Sequence, residues 1–185
     1  MPDQTDGLLS PFLRRRRIAA VRAHLSGRVL DFGCGTGALA AALPPENYLG
    51  VERDAESLRL ARSRFPLHRF ITPGELDTET YGFDTVAALA VIEHFSKPGD
   101  FFRLVRPHLK DGGRLVITTP RPLTEAMHRL GSRLGLFSRA ADEEHEDLLN
   151  RKSLQKACRE EGFEMCHYRR FLLGLNQLAV LRHTT

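Results

Sequence analysis

Val29-Leu30-Asp31-Phe32-Gly33-Cys34-Gly35-Thr36-Gly37-Ala38 is the stretch that decides the fold. Arg28 to Phe32 reads as a short apolar strand. The glycines that follow let the backbone turn tightly and approach a ligand with no side chain in the way. The pattern predicts a helix through Ala38 to Leu43, stopped by Pro44 and Pro45. Such a helix would turn its N-terminal amides and positive dipole end toward whatever the turn holds.

A second strand, Asn47 to Val51, ends at Glu52. A carboxylate at that strand end is placed to accept hydrogen bonds from both hydroxyls of a ribose. Glycine turn and acid together indicate a site for a ribonucleoside-containing cofactor. Gly33, Gly35 and Ala38 also satisfy the dinucleotide pattern GxGxxA, so a nicotinamide cofactor is a rival. Asp31 weighs against it, because its negative charge would lie beside a pyrophosphate. A cofactor with an ammonium group and no phosphate, such as S-adenosylmethionine, suits that charge.

Outward from this unit, strands and helices alternate. Ser10 and Pro11 begin a helix that runs to about Leu25, with Leu13, Arg17, Val21 and Leu25 on one face. Asp54 caps a helix from Ala55 to about Arg64, and Leu67 to Ile71 is a short third strand. Phe83 to Val91 is a strand buried on both faces, Pro98 to Leu109 a helix, Asp111 to Gly113 a turn, and Arg114 to Thr119 another buried strand. Glu125 to Leu134 and Ser153 to Glu161 read as helices, with Gly162 stopping the second. Phe163 to Phe171 and Gln177 to Arg182 are the last strands, joined through Gly174. The alternation predicts an α/β three-layer sandwich built on a mostly parallel sheet. Residues 1–185 read as a single domain, with an N-terminal helical segment at 1–25 and a candidate substrate lid at 122–149.

Composition narrows the class. Net charge is +4, partly from the run Arg14-Arg15-Arg16-Arg17, which reads first as a solvated helix face and second as a nucleic-acid footprint. Three cysteines, Cys34, Cys158 and Cys166, make no disulfide framework, and no Cys/His cluster points to zinc, so no metal site is expected. A reducing cytoplasm fits this usage. No apolar run is long enough to span a membrane, so membrane insertion is not expected.

The motifs together resemble the class I S-adenosylmethionine-dependent methyltransferases. Val29 to Ala40 resembles their first motif and Asn47 to Asp54 their second-strand motif. Phe83-Asp84 through Val91-Ile92-Glu93-His94-Phe95 is similar to their fourth strand, and Leu109 to Pro120 to their fifth. The resemblance is greatest to the small-molecule subgroup that includes quinone-biosynthesis enzymes. It implies a Rossmann-like seven-stranded sheet in the order 3-2-1-4-5-7-6 with the seventh strand antiparallel, and S-adenosyl-L-methionine as cofactor. It further implies that Asp31, Gly33, Cys34 and Gly35 face the methionine part of the cofactor, and that Glu52 holds the ribose with Arg53 beside the adenine. Glu75 and Leu76 would match the adenine edge, and Ala90 and Val91 the sulfonium side. Gly74-Glu75 departs from the family's usual glycine–aspartate, and the segment Thr72 to Gly82 is short, leaving one helical turn or none there.

Methyl transfer is direct displacement at carbon and asks mainly for alignment and exclusion of water. An oxygen or nitrogen acceptor gains from a base, and histidine is suited to that near neutral pH. His94, past the end of the fourth strand, is the first candidate, and His145, in the acidic stretch Asp142 to Asp147, the second. Glu93 also reads as a structural acid tying down the loop after that strand. The expected function is transfer of a methyl group to a small-molecule acceptor by a monomer or homodimer. A methyltransferase of rRNA or tRNA, a non-catalytic cofactor-binding partner subunit and a nicotinamide oxidoreductase are the alternatives.

Overall fold

A computed structural model describes residues 10–76, 82–121 and 149–184. The helix expected at Glu125 to Leu134, His145 and all but the last residue of the 122–149 lid lie outside the described residues.

Seven strands form one sheet: β1 Val29–Phe32, β2 Tyr48–Val51, β3 Arg69–Ile71, β4 Phe83–Leu89, β5 Leu109–Pro120, β6 Phe163–Phe171 and β7 Asn176–His183. Their order is β3-β2-β1-β4-β5-β7-β6, as the family resemblance implies. Strands β1 to β5 pair in parallel, and β7 runs antiparallel to both β5 and β6. β1 and β2 are buried along their whole length, which is why they read as unbroken apolar runs. β6 is an edge strand, and its exposed Glu164, His167, Arg169 and Arg170 discourage further pairing.

The helices are α1 Ser10–Val21, α2 Ala55–Arg64, α3 Pro73–Leu76, α4 Pro98–Val105 and α5 Arg151–Glu160. They divide the core in two. One cluster packs Phe101, Phe102 and Val105 of α4 and Leu154 and Cys158 of α5 against Leu30, Val86, Leu115 and Ala179. The other packs Val21, Leu58, Ala61 and the turn residues Leu39 and Ala40 against Val29, Tyr48, Ala87 and Val116. Asp54 caps α2, its Oδ2 accepting the Ser57 N–H at 2.8 Å, and Asn150 caps α5 through Lys152 and Ser153.

Three expectations need correction. Ala38 to Leu43 is not an α-helix: Ala40–Ala42 is a single 3-10 turn, closed by Leu43 N–H donating to the Ala40 carbonyl at 3.1 Å. Gly37 sits at φ +78° and Pro44 follows Leu43, so too few residues remain for a nucleated helix. Asp111 to Gly113 is not a separate turn, because β5 runs through it with a break in its register against β4 between Phe83 and Thr85. β4 itself stops at Leu89, short of Val91, because Ala90 adopts φ +61° and donates its N–H to the Thr118 carbonyl at 2.8 Å.

Candidate cofactor site at the carboxyl ends of the strands

The site stands where β1 and β4 end side by side, the crevice that open α/β sheets offer to ligands. Leaving β1, the chain folds over the end of β2: Gly33 and Cys34 both donate their N–H groups to the Val51 carbonyl, at 2.9 and 3.0 Å. Gly33 holds φ +74°, and a Cβ there would meet Val91 Cγ2 at 2.6 Å. Gly35, at φ +52°, has nothing within 4 Å of where its Cβ would be. The turn is therefore packed from behind by Val91 and open in front.

Glu52 locks this turn. Its Oε2 accepts the Gly35 N–H at 2.8 Å and its Oε1 the Asp54 N–H at 2.9 Å. A carboxylate offers about four lone pairs, so each oxygen keeps acceptor capacity for a ligand. Arg53, next along, is exposed. Glu75 and Leu76 sit in α3, the one-turn helix after β3. The Glu75 carboxylate takes the Thr72 N–H at 2.7 Å and the Thr72 hydroxyl at 2.8 Å, and Leu76 is buried in the core. Both Glu75 bonds hold its pKa below the ordinary carboxylate value.

Asp31 is the acid at the floor. It is 2% exposed, and the Tyr48 hydroxyl donates to its Oδ2 at 2.7 Å. Burial pushes its pKa up to about 7, with the Glu52 charge adding to the rise and the Tyr48 bond opposing it. Burial likewise pushes up the Cys34 thiol, helped by the Asp31 and Glu52 charges, so Cys34 is an inert wall.

In front of the turn lies a cavity of about 320 Å³, lined by Asp31, Gly33, Cys34 and Gly35 on one side and by Leu89, Ala90 and His94 on the other. His94 is exposed at its edge, in the 3-10 turn Ile92–His94. The third wall is α1, which contributes Arg14, Arg17 and Ile18. This corrects the reading of the arginine run as a solvated face. Arg15 and Arg16 are exposed, but Arg14 and Arg17, three apart and so on one side of the helix, are half-buried against the cavity. Burial lowers the Arg17 pKa, Glu93 counters this and Arg14 adds to it. Glu93 is half-buried with its carboxylate turned inward: burial raises its pKa against its own backbone N–H, Arg17, His94 and Thr119, and its Oε2 has no hydrogen-bond partner among the described residues.

Sequence reasoning thus located Asp31, Gly33, Cys34, Gly35, Ala90 and His94 around one cavity, with Glu52 and Val91 bracing its turn. It missed Arg14, Arg17 and Tyr48. The spacing of the two arginines was the available signal for the first two. The Tyr48–Asp31 bond needs the β1–β2 register, which pairs Val29 with Tyr48 and brings the two side chains onto one face.

Residues 8–168 match the family described as Methyltransferase domain. The chain belongs to that family. It is 31% identical over 124 residues to a trans-aconitate 2-methyltransferase of Azoarcus sp., covering 63% of this chain and 48% of that protein. It is 33% identical over 112 residues to a ubiquinone biosynthesis O-methyltransferase of Pseudomonas aeruginosa, covering 53% of this chain and 47% of that one. The chain thus spans about half the length of these curated relatives. Its fold matches magnesium protoporphyrin IX methyltransferase from Synechocystis, a structure with bound SAH, at a TM-score of 0.70 and 18% identity, covering 98% of this chain and 90% of that one. The sheet order and the family together give this chain the class I S-adenosylmethionine-dependent methyltransferase fold. Among the described residues no helix is long and apolar enough to cross a membrane.

Proposed function

We propose that this domain is an S-adenosylmethionine-dependent methyltransferase whose acceptor is a small molecule, akin to the quinone-biosynthesis enzymes among its relatives. The observation that carries the reading is the buried Asp31 at the floor of a cavity fronted by the open Gly35 turn. A buried carboxylate there suits an ammonium group and opposes a pyrophosphate. The lack of an α-helix over Ala38 to Leu43 points the same way, since a dinucleotide rests its phosphates on such a helix N-terminus.

The donor set fits the cofactor. Asp31 would take its amine and Glu52, fixed by Gly35 and Asp54, its ribose hydroxyls. Arg53, Glu75 and Leu76 would flank the adenine, Gly33, Cys34 and Gly35 the methionine part, and Ala90 and Val91 the sulfonium. When bound, the cofactor would supply a methyl group activated for direct displacement by an acceptor lone pair, with its sulfur as the leaving group. The chain's own work is alignment and proton handling. Val91 pins the turn, Ala90 and Leu89 wall off water, and His94 takes the proton of an oxygen or nitrogen acceptor. Calorimetric titration with S-adenosylhomocysteine and with NADH tests the reading. Micromolar binding of the first alone is expected, and binding of NADH alone would overturn it.

A further inference from the structure

Arg17 is a cation the cofactor reading does not use. Its Nε donates to Asn176 Oδ1 at 3.2 Å, and Asn176 is itself 3% exposed at the first residue of β7. Neither Nη nitrogen donates to a described residue, and the side chain lines the cavity. A guanidinium carries five N–H donors, so most of this fork is directed at nothing in the described protein. A half-buried charge with unmet donors costs stability unless a ligand meets it. The ligand that matches two parallel N–H groups is a planar anion, a carboxylate.

Position tells which carboxylate. Glu52, at the end of β2, marks the ribose end of the site. Arg17 leans on β7, and the strand order puts β2 and β7 on opposite sides of the β1–β4 pair. With the ribose at Glu52 and the reacting centre above β4, Arg17 stands on the acceptor side. It is held there by Asn176, with the Glu93 carboxylate as a charged neighbour and His94 lining the same cavity from another wall.

Resting on the methyltransferase reading above, we infer that the methyl acceptor carries a carboxylate and that Arg17, oriented by Asn176, is its anchor. The acceptor class is a small molecule that carries an acid group, whichever of its atoms is methylated, and not a nucleic acid. Charge agrees, since an anion beside a sulfonium and a guanidinium neutralises part of their mutual repulsion.

The test uses the whole chain saturated with S-adenosylhomocysteine, so that the cofactor's own carboxylate is already placed. Ligand-observed NMR compares small carboxylic acids (benzoate, 4-hydroxybenzoate, cinnamate, itaconate) with their primary amides, on the wild type and on Arg17→Gln, Arg17→Lys and the exposed control Arg16→Gln. The wild type and Arg16→Gln should prefer acids over matched amides by about tenfold or more. Arg17→Gln should abolish that preference, and Arg17→Lys, which keeps charge without the fork, should keep part of it. Equal binding of acids and amides, a preference that survives in Arg17→Gln, or no acid binding at millimolar concentration would each overturn the inference. Calorimetry of S-adenosylhomocysteine on the same proteins separates the two claims: affinity within about threefold of wild type in Arg17→Gln assigns any lost preference to the acceptor side, a larger loss would put Arg17 on the cofactor's own carboxylate and overturn the inference, and no affinity in the wild type defeats the underlying reading.

Discussion

Replacing Asp31 with asparagine should make the free protein more stable and the site useless. The carboxyl is buried, and its pKa rises from 3.8 to about 7. The folded state therefore binds the proton more tightly than the unfolded state does. Any stability this group provides is fully present below about pH 4 and is lost as pH rises through about 7. The gap from 3.8 to about 7 corresponds to about 4 kcal/mol against the folded state above pH 7. Asparagine keeps the shape, can still accept the Tyr48 hydroxyl, and carries no charge to desolvate. At pH 8 the variant should gain about 2–4 kcal/mol, or roughly 5–12 °C in Tm for a domain of this size, with little gain at pH 4. Thermal unfolding of both proteins at the two pH values measures this. The price appears in binding: S-adenosylhomocysteine affinity should collapse in the variant, and in the wild type it should fall by up to about tenfold per pH unit below 7 as Asp31 protonates. Parallel stability curves for the two proteins, or cofactor affinity in the wild type that is flat from pH 6 to 8, would refute the reasoning.

Gly33→Ala combines a Cβ at 2.6 Å from Val91 Cγ2 with φ +74°, so it should destabilise by about 2–4 kcal/mol and weaken cofactor binding as well. The double variant Gly33→Ala/Val91→Ala should recover part of the stability, which chemical denaturation would show. Asn150→Ala removes the cap of α5, which is not part of the cavity lining, and should cost about 1 kcal/mol in urea unfolding while leaving S-adenosylhomocysteine affinity unchanged.

How legible this molecule was depends on whether a feature is local. The Asp54 cap, the short apolar β1, the doubly buried β4 and the Gly174 hairpin are written in adjacent residues, and the structure bears them out. The helix after the glycine turn was misread because helix propensity in Ala38 to Leu43 is overruled by Gly37 on one side and Pro44 on the other. Asp111 to Gly113 reads as a turn because Gly-Gly marks turns, yet β5 is paired on both sides of it, Leu109 with Phe83 and Arg114 with Thr85, so the segment is an irregularity within one strand. Arg14 and Arg17 were assigned to solvent because arginine usually is. Only the cavity that α1 walls and the Arg17–Asn176 bond show that half of the run faces inward. The acid at the second strand's end stands out in the sequence by its position. Its clamp on the Gly35 amide does not, because that bond spans seventeen residues and depends on the path of the turn.

Titration of S-adenosylhomocysteine into the wild type and Glu52→Ala by calorimetry tests the central claim most directly. The carboxylate fixes the Gly35 turn and, in the proposed reading, would offer its remaining lone pairs to the ribose, so two charge-assisted hydrogen bonds would be at stake, about 1.5–3 kcal/mol each before solvent screening. The expected result is micromolar affinity in the wild type and a loss of about 100-fold or more in the variant, with the fold retained by circular dichroism. Equal affinity in a folded Glu52→Ala protein would contradict the account.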